Sequence, residues 1–193
     1  MAGWQAWQGC VKRGGGLAQF WQKLWSVGLR GFLVTGVLSL VLAFGAGRIE
    51  KTGDDLQVAL PLLAWGCAAA NGDAVEYLGR YLVMLGSVHT AKWAFGDATF
   101  NRRPNGGSFG MPSAHTSTAV LGASRLAGEC LAGNPVAAAV AVLAAGFVGG
   151  SRIVPGKHDL WQVLIGAAVG LLADRVFGKG SRAREWLRRR LRR

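Results

Sequence analysis

Apolar residues fall into about six blocks along this 193-residue chain, separated by short polar or glycine-rich stretches. Gly31–Gly47 (GFLVTGVLSLVLAFGAG) is the clearest; Leu56–Ala70 is shorter and holds Pro61; Tyr77–Phe95 includes Arg80, His89 and Lys92. His115–Gly133, Pro135–Val154 and Leu160–Phe177 follow, the last rich in the Gly and Ala that let membrane helices pack closely. A helix crossing the hydrocarbon of a bilayer needs about 20 mostly apolar residues. The pattern therefore predicts an all-α polytopic membrane protein, one domain over residues 1–193, with about six transmembrane helices.

Composition supports this reading. The chain is 51% hydrophobic, yet carries 22 Lys+Arg against 10 Asp+Glu, a net charge of +12. The cations gather at the ends and between apolar blocks instead of interleaving with aromatics on one face, which excludes nucleic-acid binding. Lys12, Arg13, Lys23 and Arg30 precede the first block, and Arg175, Lys179, Arg182, Arg184 and Arg188 to Arg190 follow the last. Basic flanks mark the cytoplasmic side, and an even span count puts both termini there. The Arg48–Asp55 loop, the Phe95–Pro112 loop and the Ser151–His158 turn then share the outer face.

The terminal segments carry no chemistry. Residues 1–30 contain Trp4, Trp7, Trp21 and Trp25 but no apolar core of signal-peptide length, so they read as an interfacial segment or a loose polar tail. The basic end, 178–193, either lies on anionic lipid headgroups or is solvated. Cys10, Cys67 and Cys130 are odd in number and widely spaced, and read as small packing residues, without a disulfide or a zinc site.

The central loop holds Lys92, Arg102 and Arg103 before the stretch MPSAH. Ser113 is a good N-cap, which would leave the backbone N–H groups of Ala114 and His115 at the positive end of a helix dipole, where phosphate binds. A second cluster, SRIVPGKH, puts Ser151, Arg152, Lys157 and His158 on the same face. Two histidines facing a phosphoryl group divide the work: one attacks phosphorus, the other protonates the leaving oxygen. Asp97 and Asp159 read as the only acids near the motifs, so no metal or other cofactor is called for, and guanidinium groups would carry the charge.

RRP, PSAH and SRIVPGKH, in that order, resemble the three signature blocks of the type 2 phosphatidic acid phosphatase family, the lipid phosphate phosphatases. The resemblance covers Lys92 to Gln162 and implies a membrane-bound bacterial phosphatase of the inner membrane. It would act at the periplasmic face on a phosphomonoester or pyrophosphate of a membrane lipid. By position, it implies that His158 is the nucleophile forming a phosphohistidine and His115 the acid. Lys92, Arg103, Ser113, Ala114 and Arg152 would hold the phosphoryl oxygens. Three departures stand out: the gap from Lys92 to the Arg-Pro pair is longer than the family's six residues, Ala114 replaces a Gly, and Gln162 stands where the family keeps an Asp that orients the nucleophile.

Four residues past His158, Gln162 shares its helix face and can accept from one ring nitrogen, while Asp159 points about 100° away. His89 reads as a polar contact inside the bundle. Glu76/Arg80 and Arg125/Glu129 are spaced as charge-neutralising pairs near the inner face, and Asp174 lies too deep to serve His158. Two alternatives stay open: a lipid phosphotransferase using the same residues, and a non-catalytic lipid-phosphate binder or transporter.

Overall fold

Five helices build the described part of the chain: α1 (Ile49–Ala70), α2 (Ala74–Phe95), α3 (Ala114–Arg125), α4 (Pro135–Ile153) and α5 (Leu160–Val176). This computed structural model describes residues 48–176, together with Gly28, Gly31, Leu33, Val34 and Gly36. The interfacial N-terminal segment, most of the first apolar block, Cys10 and the basic tail lie outside the described residues. No strand occurs among those described.

Starts and stops follow local chemistry. Ser113 caps α3 and Asn134 caps α4, whose first residue is Pro135, a proline placed where its missing N–H costs nothing. A short 3₁₀ turn, Thr99–Asn101, interrupts the central loop, and α3 widens into a π-type turn over Leu126–Cys130. One boundary corrects the sequence reading: the expected Arg48–Asp55 loop is the first turns of α1 from Ile49 onward. The Thr52 backbone N–H and hydroxyl both donate to the Arg48 carbonyl, at 2.9 and 3.1 Å, and Glu50 sits in the first turn where the helix dipole favours an anion.

Helix α3 is central, with α1, α4 and α5 all packed on it. Small residues permit this closeness. A Cβ on Gly122 would lie 2.6 Å from the backbone of Leu60 and Pro61 in α1, and one on Gly170 would lie 2.3 Å from the Ser117 carbonyl oxygen. Leu56, Leu60, Val88, Leu121, Leu126 and Val148 fill the interior. Many large apolar side chains point outward instead, among them Leu62, Leu82, Trp93, Leu143, Trp161 and Leu172.

At the end of the bundle away from the central loop, both predicted i,i+4 pairs form, Arg80 with Glu76 and Arg125 with Glu129. Asp174 joins them, accepting from Arg80 at 3.3 Å and from the Ser124 hydroxyl at 2.6 Å. Cys67 and Cys130 are disulfide-bonded there, with Cα atoms 6.2 Å apart. That corrects their reading as packing residues: 63 positions separate them in sequence, but the end of α1 meets the turn after α3. His89 is also corrected, since it is exposed on α2 and not inside the bundle.

Judged by length and apolar character, α4 is the described helix able to cross a membrane. Helices α1 and α2 carry charges within their 22 residues, and α3 and α5 have 12 and 17. Among the described residues, one of the expected spans therefore meets both criteria.

Overpacking a tight helix crossing costs about 1–3 kcal/mol. Gly122→Ala and Gly170→Ala should each lower the melting temperature of the purified protein by roughly 2–10 °C. Gly86→Ala, with open space around it, should not. Equal melting of all three variants would contradict the close crossings.

Candidate active site

The last turn of α4 and the segment before α5 bring Arg152 and His158 together, because the backbone N–H groups of Lys157 and His158 both donate to the Arg152 carbonyl, at 3.1 and 3.0 Å. Asp159 then caps α5, accepting from the Gln162 backbone N–H at 2.8 Å. The Gln162 amide oxygen faces back toward the Asp159 N–H at 3.4 Å, so the two residues make a capping box.

That box sets the Gln162 side chain beside the imidazole. Its Oε1 lies 3.1 Å from Nδ1 of His158, and its Nε2 donates to the carbonyls of Phe100 at 3.1 Å and Arg102 at 2.8 Å. With Nδ1–H donated to Oε1, Nε2 of His158 keeps its lone pair. A carboxylate could not make the two donations to carbonyls, which explains why an amide fits here. The room for it comes from Gly110, where a Cβ would lie 2.5 to 2.8 Å from the Gln162 amide atoms.

His158 is 3% exposed. Burial pushes its pKa down from the ordinary histidine value to about 4, assisted by the Lys92 and Arg103 cations and opposed by hydrogen bonding to the Gln162 side chain and the Gly110 backbone. The ring is therefore neutral, and able to act as a nucleophile, at any pH well above 4.

Lys92 arrives from the last turn of α2. Its buried ammonium donates to the Phe109 carbonyl at 2.5 Å, which accompanies the left-handed backbone of Phe109, φ 60°. The long gap between Lys92 and Arg103 is taken up by the 3₁₀ turn and by Asn101, a fully buried residue the sequence reading missed. Its side chain donates to the carbonyls of Lys92 and Gly96 and accepts from the Met111 N–H. Lys92 and Arg103 both lie near enough to act electrostatically on the same imidazole despite the added residues. The Nε of Arg103 is buried without a hydrogen-bond partner among the described residues, a donor left for an anion. Arg102, its neighbour, is exposed.

Ser113 is buried and joins the two blocks through its N–H, which donates to the Gln162 carbonyl at 3.1 Å. Its hydroxyl oxygen accepts from the Thr116 hydroxyl at 3.0 Å, leaving its own O–H free to donate. Ala114, at the first position of α3, is half-buried, so its methyl is accommodated.

His115 meets a group absent from the sequence reading. Its Nε2 lies 3.1 Å from Oδ1 of Asp54 in α1, and the same oxygen is ion-paired with Arg152 at 3.0 Å. Glu50, one turn earlier, accepts from Arg152 through its carbonyl at 2.6 Å and pairs with Lys157 through its carboxylate. The statement that Asp97 and Asp159 are the only nearby acids is thus corrected: α1 supplies two more, hidden because its start was read as a loop. Among the described residues, no group of three His, Cys, Asp or Glu lies close enough to hold a metal ion.

Comparison with known proteins identifies the family. The pattern of the PAP2 superfamily matches residues 73–185. Lipid A 1-phosphatase of Porphyromonas gingivalis is 32% identical over 148 residues, which cover 68% of this chain and 31% of that protein. The chain therefore spans about a third of that relative's length. No solved structure matches.

Losing a hydrogen bond at a buried polar group costs about 1–3 kcal/mol, roughly 5- to 150-fold in rate. Gln162→Ala and Gly110→Ala should each reduce phosphate release within that range, whereas Asp159→Asn, which keeps a capping oxygen, should cost less than about threefold. Steady-state kinetics of the three purified variants check this, and an essential Asp159 beside a silent Gln162 would reverse the assignment.

Proposed function

Because this chain belongs to the PAP2 superfamily, we propose that it is an integral-membrane lipid phosphatase working through a phosphohistidine on His158. The observation that carries the reading is the neutral, buried His158, held at Nδ1 by Gln162 and acted on electrostatically by Lys92 and Arg103. Nε2 attacks phosphorus while Lys92, Arg103 and Arg152, with Ser113 and the N–H of Ala114, hold the phosphoryl oxygens. His115 protonates the leaving oxygen. It then takes a proton from the water that attacks the phosphohistidine, and the P–N electron pair returns to His158.

The bundle surface supports a membrane setting. Outward-facing Leu, Val and Trp side chains on α1, α2, α4 and α5 suit hydrocarbon better than water. A groove of about 780 Å³ between α3, α4 and α5 has Ile153, Leu160 and Gly150 near the site and runs to Arg175; it offers apolar walls to a lipid chain whose headgroup sits at the cations. The substrate class is a phosphorylated membrane lipid. Polyprenyl pyrophosphate, phosphatidylglycerol phosphate, phosphatidic acid and lipid A phosphates all present the group this site fits. The basic tail favours a cytoplasmic location for the end opposite the site, and hence a periplasmic site at the inner membrane.

The Cys67–Cys130 disulfide favours a second reading. Disulfides persist in oxidising compartments, and this one lies about 20 Å along α1 from Asp54 at a rise of ~1.5 Å per residue. The inverted orientation would expose that end outward and turn the site to the cytoplasm.

A panel of lipid headgroups, assayed for phosphate release with and without EDTA, tests the reading. Activity that persists with EDTA, is blocked by vanadate and is absent from His158→Ala is the expected result. Hydrolysis of an impermeant phosphate ester by intact spheroplasts selects the periplasmic site. Release that His158→Ala retains, or that EDTA abolishes, would contradict the mechanism.

A further inference from the structure

Asp54 stands where the two signature histidine blocks meet a helix that belongs to neither. One oxygen, Oδ1, touches Nε2 of His115 at 3.1 Å and Nη1 of Arg152 at 3.0 Å. The residue is placed by close packing. A Cβ on its neighbour Gly53 would lie 1.9 Å from the Ser151 hydroxyl and 3.0 Å from the Arg152 guanidinium, so the side chains of α4 pack directly on the α1 backbone here. The Glu50 carbonyl, one turn up the same helix, holds another guanidinium nitrogen of Arg152. His115 thus faces a carboxylate from α1 and two cations, Arg152 from α4 and Lys157 from the following segment.

We infer that Asp54 is the positioning residue for the general acid: its carboxylate fixes the His115 ring and stabilises the imidazolium, while tethering Arg152 beside it. The inference rests on the phosphatase reading and extends it to a residue outside the three blocks. With one ring nitrogen donating to Oδ1, the other carries the proton that moves. As His158 bonds to phosphorus and the P–O bond breaks, the electron pair goes to the leaving oxygen and the His115 proton follows it. His115 becomes neutral and Asp54 stays ionised throughout, the orienting role an aspartate has beside a catalytic histidine. Without it, burial and then the surrounding cations Arg152 and Lys157 disfavour a protonated ring unopposed.

A double-mutant cycle on the full chain distinguishes this from a structural anchor. Asp54→Asn is nearly isosteric at a half-exposed position, so the fold survives, and its melting temperature checks that. The expected loss in kcat is about tenfold or more for a lipid or alkyl phosphate, whose leaving oxygen needs a proton, and several-fold smaller for p-nitrophenyl phosphate. Asp54→Glu, which keeps a carboxylate, should recover part of the loss. In the His115→Ala background, Asp54→Asn should cost much less than in the wild type, only the part that comes from freeing Arg152, and should cost it equally on both substrates. An equal loss on both substrates, an unimpaired Asp54→Asn, or full additivity with His115→Ala would overturn the inference while leaving the phosphatase reading intact. A wild-type protein that releases no phosphate, or releases it equally well as His158→Ala, would take both down together.

Discussion

One side-chain amide joins the parts of this site that are far apart in sequence. Gln162 holds His158 with its oxygen and the carbonyls of Phe100 and Arg102 with its nitrogen, while its own backbone carbonyl receives the Ser113 N–H. The nucleophile candidate, the loop bearing Arg103 and the start of α3 are therefore registered against a single residue. A buried amide with its donors and acceptor all occupied is stable in a setting where a half-satisfied one would be costly. The family's aspartate supplies charge to the histidine; here charge is exchanged for a link to the loop. The extra residues between Lys92 and Arg103 make that link useful, since a longer loop has more freedom to lose on ordering.

Beneath the site, glycine and ion pairs do different jobs. Gly122, Gly166 and Gly170 let α3 approach its neighbours at backbone distance, where any side chain would collide. That closeness fixes the direction in which Ser113 and His115 emerge from the bundle. At the far end, Arg80, Asp174, Glu76 and Ser124 link α2, α5 and α3. Buried ion pairs of this kind add little net stability but penalise any arrangement that separates the partners. The close crossings set the packing of α3, and the ion pairs register α2, α3 and α5 at the end away from the site.

Much of this was legible beforehand. Five helices lie where the apolar blocks fall, Ser113 and Pro135 stand at the predicted starts, and the spacing of four residues set Gln162 against His158. The all-α class and the family follow from periodicity and three ordered motifs. What escaped detection depended on contacts across the fold. Asp54 lies 61 residues before His115 in a stretch whose charges resembled a loop, and its role needs α1 to begin at Ile49. Cys67 and Cys130 become neighbours only once the end of α1 meets the turn after α3. Asn101, polar and in a loop, gives no sign in the sequence that it is wholly buried and that its side chain pins three backbone groups.

The account turns on His158 bonding to phosphorus. Rapid acid-free quenching of the enzyme with ³²P-labelled substrate, followed by peptide mapping, addresses this directly. The account predicts an alkali-stable, acid-labile phosphate on the peptide carrying His158, formed and discharged at rates no slower than turnover and absent from His158→Ala. Label found on His115, or turnover with no phosphoprotein at any quench time and release of phosphate by direct attack of water, would contradict it.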